Sequence, residues 1–249
     1  MSFLKAEWRK LVMINYEVDP QLLQSYVPEG TALDFYQGRC YVSLVGFMFL
    51  NTRILGVRVP FHINFEEVNL RFYVKRKAGD SWKRGVVFIK EIVPRSAITF
   101  VANTFYKEHY ETCKMNHVWK VDEQHLNVSY QWVKDGQKNE FWVKTDQISQ
   151  PMVKGAEEEF IAEHYWGYSK DATKTVEYEV KHEPWEVYPV SSFDVQVDFQ
   201  SVYGKEFAQL NGLEPSSVLL AEGSAISVEG RRWYNSYYTA TFVSCSQPS

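Results

Sequence analysis

The stretch FEEVNLRFYVK, Phe65 to Lys75, constrains the fold more than any other part of the chain. Successive side chains of a strand point to opposite faces, so Val68, Leu70, Phe72 and Val74 share one side and Glu67, Asn69, Arg71 and Tyr73 share the other. In an open antiparallel sheet the polar side ordinarily faces water. In a sheet closed into a barrel the same side can line an interior. Which of the two holds decides whether this chain can do small-molecule chemistry.

The rest of the chain is read in the same way. Lys10 to Tyr16 and the doubly apolar run Cys40 to Leu50 read as strands, the second one buried. Val86 to Val93 makes a strand that pairs with the opening stretch through the basic loop Lys75 to Arg84. His125 to Val133 and Glu140 to Lys144 flank Asp135-Gly136, a hairpin signal. Thr175 to Val180 and Val218 to Val228 add strands, and Val195 to Phe199 is either a strand or the flank of a helix. Asp19 is placed to cap a short helix carrying Leu22, Leu23 and Tyr26. Helical segments are also expected within Ser96 to Tyr110 and Pro151 to Trp166, while Pro184 and Pro189 confine their neighbourhood to sheet edges or turns. No Pro/Gly/Ser linker divides the chain, so residues 1–249 are expected to form one α+β domain, mainly antiparallel β. Alternating βαβ units are missing, which argues against Rossmann and TIM architectures.

Composition narrows the function classes. Hydrophobic residues are 45% and charged residues 23%, both near the globular average, so disorder is not expected. Sixteen Phe, sixteen Tyr and eight Trp suit pleated surfaces and the walls of small-molecule pockets. A net charge of −4 and the lack of a basic stripe argue against nucleic acid as a partner. Three widely spaced cysteines, Cys40, Cys113 and Cys245, indicate neither a disulfide framework nor a zinc site. No signal-peptide core and no apolar run long enough to span a bilayer is present, so no membrane partner is expected and a cytoplasmic location is. GxSxG, GxGxxG and GxxxxGK[ST] are all missing.

Several polar residues stand out. Arg71 suits a carboxylate held by two hydrogen bonds, Asn69 offers a neutral donor and acceptor, and Glu67 can balance Arg71 or act as base. Lys90 and Glu91 sit side by side in an apolar strand and so face opposite ways. Lys90 next to Ile89 is either a desolvated amine nucleophile or a lysine that snorkels to water. The six histidines are dispersed, and HEPWE at 182–186 lacks the second histidine of HExxH, so no metal is expected. His182, ahead of Pro184-Trp185, is a candidate for reaching a pocket.

FEEVNLRFYV, GVVFIKEI, EFIAEHYWGY and HEPWEV, in this order, resemble the YqjF-like family of uncharacterised conserved bacterial proteins. The resemblance runs from about Glu7 to Val190. That family is grouped by fold with acetoacetate decarboxylase, whose opening strand, Asp-led helix and Val-Pro-Glu turn are similar to RKLVMINYEVDPQLLQSYVPEG. The resemblance implies a closed, cone-like β-barrel with a central cavity, and it places Arg9 at a substrate-site arginine. It also places Arg95 and Ser96, after Pro94, where the decarboxylase carries its Schiff-base lysine. Arginine stays protonated and cannot serve as that amine. Arg95 is therefore expected to bind an anion.

The expectation is a small organic acid or carbonyl compound held in the barrel cavity by Arg9, Asn69, Arg71, Arg95 and His182, with no cofactor. Homo-oligomerisation is left open. The alternative is a lyase or hydratase acting on a keto acid, with Glu67 or Glu91 as acid–base and Lys90 as nucleophile. A third reading is a non-catalytic structural or interaction protein whose polar strand is merely wet.

Overall fold

The structure, a computed structural model, describes residues 2–105, 108–171 and 174–235. Its main strands are β1 (Leu4–Glu17), β2 (Tyr41–Ile54), β3 (Phe65–Ala78), β4 (Ser81–Val93), β5 (Lys114–Val121), β6 (His125–Lys134), β7 (Gln137–Asp146), β8 (Trp166–Asp171), β9 (Lys174–His182), β10 (Val190–Gln196) and β11 (Ser217–Val228). The α-helices are α1 (Ser96–Phe105), α2 (Glu157–Ala162) and α3 (Phe199–Tyr203). Strands pair in the order β11-β1-β2-β3-β4-β8-β9, and β9 pairs back on β11 through Val180 to His182, which closes a seven-stranded barrel. Every junction is antiparallel except β4 with β8, where Gly85 and Val86 lie beside Trp166 and Gly167 in parallel. A second sheet, β10-β7-β6-β5, lies apart from it in pairing.

The two faces of β3 are used in an unusual sense. Val68, Leu70, Phe72 and Val74 turn outward and pack with Val128, Tyr130, Trp132 and Phe141 of the second sheet. The barrel's outer surface is thus a hydrophobic core, and its polar strand face is free to point in. Gly46 of β2 marks the closeness of this packing, since a Cβ there would lie 2.5 Å from the Phe141 ring. A second apolar cluster, including Leu11, Met13, Val45, Phe47, Tyr73 and Ile161, fills the barrel itself, and α2 supplies its plug.

Most expected elements are present, with longer strands than the apolar runs alone suggest. Asp135 and Gly136 both adopt positive φ (48° and 80°), the geometry a two-residue hairpin turn needs. Asp19 caps a short 3-10 helix by accepting from Gln21 N at 2.8 Å. The helix expected around Pro151 to Trp166 is only α2, because Gly155 takes φ 78° and turns the chain first. The helix expected from Ser96 ends at Phe105, with residues 106–107 outside the described set; Tyr110–Thr112 is extended and runs parallel to β4. Cys40 and Cys113 are buried and free, and Cys245 lies outside the described residues. Among the described residues no helix is long and apolar enough to cross a membrane.

The barrel wall carries one ion cluster whose removal is testable. Glu177 on β9 is fully buried and accepts from Arg76 (2.7 Å), Lys83 (2.7 Å), Tyr168 (3.0 Å) and Tyr234 (2.9 Å). Burial pushes its carboxyl up, yet these donors hold it below the usual range. Glu177→Gln keeps the shape and removes the charge. It is expected to lower unfolding free energy by about 2 kcal/mol, the scale of charge-assisted hydrogen bonds, as read by chemical denaturation.

Candidate functional site

Glu67, Asn69 and Arg71 all point into the barrel and are 2%, 1% and 7% exposed, so the polar row is not wet. They line a cavity of about 230 Å³. The Asn69 amide donates to Glu67 Oε1 at 3.0 Å. Arg71 Nη2 donates to the Ile161 carbonyl of α2 at 3.2 Å, while its Nε is buried with no partner. Strand register brings Glu91 of β4 beside Asn69. The Tyr110–Thr112 segment then places Tyr110 next to Glu91, and the Tyr110 hydroxyl donates to Glu67 Oε2 at 3.1 Å. Asn103 of α1 clamps this segment by bonding both backbone groups of Tyr110, at 2.7 and 2.9 Å. Glu108, one alternation earlier, reaches the same cavity and accepts from Tyr178 of β9 at 2.8 Å.

Three carboxyls therefore share one cavity with one guanidinium. Burial pushes Glu67 up to about 7, against hydrogen bonds from Asn69 and Tyr110. It pushes Glu108 up to about 8. Glu91 is raised well above the ordinary range by burial and then by the charges of Glu108 and Glu67. Like charges this close in low dielectric cannot all ionise, so the cluster holds protons at neutral pH. Glu91 Oε2 and Glu108 Oε2 are both buried without a hydrogen-bond partner. Protonated, they are donors.

Below Arg71 the cavity is closed by Tyr73, Phe160 and His164, with ring centroids of Tyr73 and His164 4.8 Å apart. His164 Nε2 lies 3.4 Å from Asp34. Burial lowers the imidazole to about 4, so it is neutral. Burial pushes Asp34 up, but His164, Arg84 and Lys75 hold it far below the usual carboxylate range.

Of the residues singled out in the sequence, Glu67, Asn69, Arg71, Glu91 and His182 line the cavity. His182 stacks on Trp185 at 4.3 Å and is lowered by burial. Three others stand elsewhere. Arg9 neighbours Trp8, which faces in, so alternation turns Arg9 out to Glu7 at 2.7 Å and Glu222 at 3.6 Å. A bulge at Lys10, φ 54°, restores the inward direction only at Leu11. Lys90 faces away from Glu91 and donates to Glu111 (3.0 Å) and the Val202 carbonyl (2.5 Å), so it belongs to the contact between β4 and α3. Arg95 is exposed just ahead of α1. No lysine is among the described residues that line the cavity, and none of their clusters of His, Cys, Asp and Glu has metal-holding geometry.

Glu108, Tyr110, His164 and Tyr178 were not singled out. Glu108-His109-Tyr110 carries a two-residue alternation that the apolar helix before it obscures. Tyr178 reads as apolar beside Val176 and Val180, because a phenol's hydroxyl does not show in a hydrophobic pattern.

A curated relative, the uncharacterized protein YqjF of Bacillus subtilis, is 26% identical over 186 residues, covering 73% of this chain and 74% of YqjF. Among solved structures, acetoacetate decarboxylase from Legionella pneumophila matches with a TM-score of 0.64 at 11% identity, covering 93% of this chain and 86% of its own. The enduracididine biosynthesis enzyme MppR, complexed with pyruvate, matches with a TM-score of 0.65 at 13% identity, covering 95% and 92%. These structural likenesses establish the fold, an acetoacetate decarboxylase-like barrel. The model of the DUF2071 family, described as an uncharacterized conserved protein, matches residues 5–225, and the chain belongs to that family.

Proposed function

We propose that the barrel binds a small oxo acid, with its carboxylate on Arg71 and its carbonyl oxygen facing the carboxyls. Several buried polar atoms of the cavity lining have no hydrogen-bond partner, and the observation that carries this reading is that Arg71 Nε, Glu91 Oε2 and Glu108 Oε2 are among them. A buried polar group without a partner is costly, and a ligand rich in acceptor oxygens satisfies all three. The pyruvate complex of the structurally similar MppR supports the ligand class. A cavity of about 230 Å³ lies below the roughly 300–1,000 Å³ of drug-sized pockets, which suits a small molecule.

A second reading is acid–base catalysis on that ligand, a lyase or hydratase step. It is favoured by Glu67, whose carboxyl titrates near neutrality, where a general acid or base is most effective. Glu67 and Glu91 would exchange the proton. Schiff-base chemistry is not part of it, because Lys90 is turned away from the cavity.

Titration calorimetry with pyruvate and longer 2-oxo acids tests the binding. Arg71→Met is expected to weaken it about 10- to 100-fold, from ~1.5–3 kcal/mol for a charge-assisted bond. Unchanged affinity in that variant would remove Arg71 from the site. Borohydride added to the complex is expected to leave no reduced adduct on the protein.

A further inference from the structure

The cavity is graded along the barrel axis. Phe65, Glu67, Asn69 and Arg71 face in at alternate positions of β3, so at ~3.3 Å per residue Phe65 stands about 13 Å from Asn69 and about 20 Å from Arg71. On the paired strand β2, Phe49 lies beside Phe65 and Phe47 beside Glu67. Phe49 stacks on Phe65 at 4.7 Å, and Trp8 meets Phe47 and Phe49 edge-on at 5.2 and 5.9 Å. Trp185 closes the ring 6.3 Å from Trp8. The Arg71 end is plugged by α2, and the aromatic end leads to the β2–β3 loop, whose Val59 and His62 join the lining. Val59 is 38% exposed, and Leu55, Val57 and Phe61 of the same loop stand further out, Phe61 at 85%. The approach to the polar groups from this end is therefore apolar.

We infer that the ligand is an oxo acid with an apolar tail, its head among Arg71, Glu91 and Glu108 and its tail along the aromatic ring toward the β2–β3 loop. This rests on the oxo-acid reading and adds the substrate class to it. A three-carbon acid in the head position leaves the wall of Trp8, Phe49 and Phe65 without a ligand contact. An alkyl chain or aryl ring covers that wall, and each methylene removed from water strengthens binding.

The test is calorimetric titration of the full chain with pyruvate, 2-oxobutanoate, 2-oxohexanoate, 2-oxooctanoate, 2-oxododecanoate and phenylpyruvate. Affinity is expected to rise with tail length, by about fourfold for each methylene that is fully buried, the equivalent of ~0.8 kcal/mol. Val59→Asp puts a carboxylate at the apolar entrance on a half-exposed residue, where folding is not at stake. Because the entrance stands about 20 Å from Arg71 along β3, the substitution is expected to act on a tail long enough to reach it, weakening 2-oxododecanoate by about tenfold or more, as ~1.4 kcal/mol of lost tail contact would, and to leave pyruvate unchanged. Phe49→Leu, which keeps the site apolar, is expected to weaken phenylpyruvate more than pyruvate. A flat series in which pyruvate binds as well as 2-oxooctanoate would overturn the tail while leaving the head-group reading intact. Equal loss for every acid in Val59→Asp would also overturn it. Binding by no acid of the series would overturn both.

Discussion

Gly85→Ala is expected to lower the thermal midpoint by about 6–12 °C, from roughly 3 kcal/mol of overpacking at 2–4 °C per kcal/mol for a chain of this size. The weakest step in the barrel's strand order is where β4 meets β8 in parallel, a junction held by few residues: Trp166 beside Gly85 and Gly167 beside Val86. A Cβ on Gly85 would lie 2.4 Å from the Trp166 carbonyl oxygen and 2.7 Å from the Tyr168 ring. The first of these is backbone in a paired strand and cannot move without opening the junction. Gly167 is similar on the next strand pair, since its Cβ would lie 2.1 Å from the ring of Tyr178, the residue that donates to Glu108. The site and the β4–β8 junction are therefore linked through one tyrosine. Gly79→Ala is the control: it sits in the β3–β4 hairpin at φ 63° with nothing within 4 Å of its Cβ. It is expected to cost only the left-handed backbone term of ~1–2 kcal/mol. Differential scanning calorimetry of both variants makes the comparison. If Gly85→Ala melts no lower than Gly79→Ala, close packing at the β4–β8 junction does not hold the barrel together.

That junction also shows what a sequence can and cannot carry. The alternation of β3 was legible because both of its faces are made of distinct residue types. The direction of those faces was not. An apolar face beside a polar one ordinarily means apolar in and polar out, and here a second sheet covers the outside and inverts the rule. The inward position of Glu67, Asn69 and Arg71 came from the resemblance to a barrel fold rather than from their spacing. Resemblance also placed Arg9 and Arg95 at a site, and there local geometry prevails. One residue of alternation next to Trp8 is enough to send Arg9 to Glu7. Glu91 was separable from Lys90 by parity alone, and the structure keeps that separation. Glu108 and Tyr178 come from segments about 70 residues apart, and no local pattern connects them; only the closed strand order does.

Stability is expected to peak near pH 5 and to fall as pH rises toward 9, the reverse of what most carboxylates impose. A carboxyl whose folded pKa exceeds its unfolded value stabilises the fold below the unfolded pKa. That contribution is lost as pH rises through the folded value. Glu67 at about 7, Glu108 at about 8 and Glu91, which is also raised, all act in this direction from pH ~4.5 upward. His164 opposes them: lowered to about 4, it costs stability as pH falls from 6.5 to 4, but the carboxyls outnumber it. Asp34 and Glu177, both held low, contribute stability that disappears only in acid, which sets the other limb. At ~1.36 kcal/mol for each pH unit between the two pKa values, and with coupling within the trio reducing the sum, the loss by pH 9 is on the order of 5 kcal/mol. Thermal melts from pH 4 to 9 read this directly, and Glu91→Gln/Glu108→Gln is expected to flatten the alkaline limb. A wild-type midpoint that does not fall between pH 5 and 9 would mean that these carboxyls reach water in the folded state. Oxo-acid binding should follow the same protons. If one carboxyl must donate to the ligand, affinity falls up to about tenfold for each pH unit above ~8. Glu91→Gln should bind without that dependence at its position, because an amide donates at any pH. Affinity that rises with pH instead would show that the ligand meets ionised carboxylates, and so carries a positive charge.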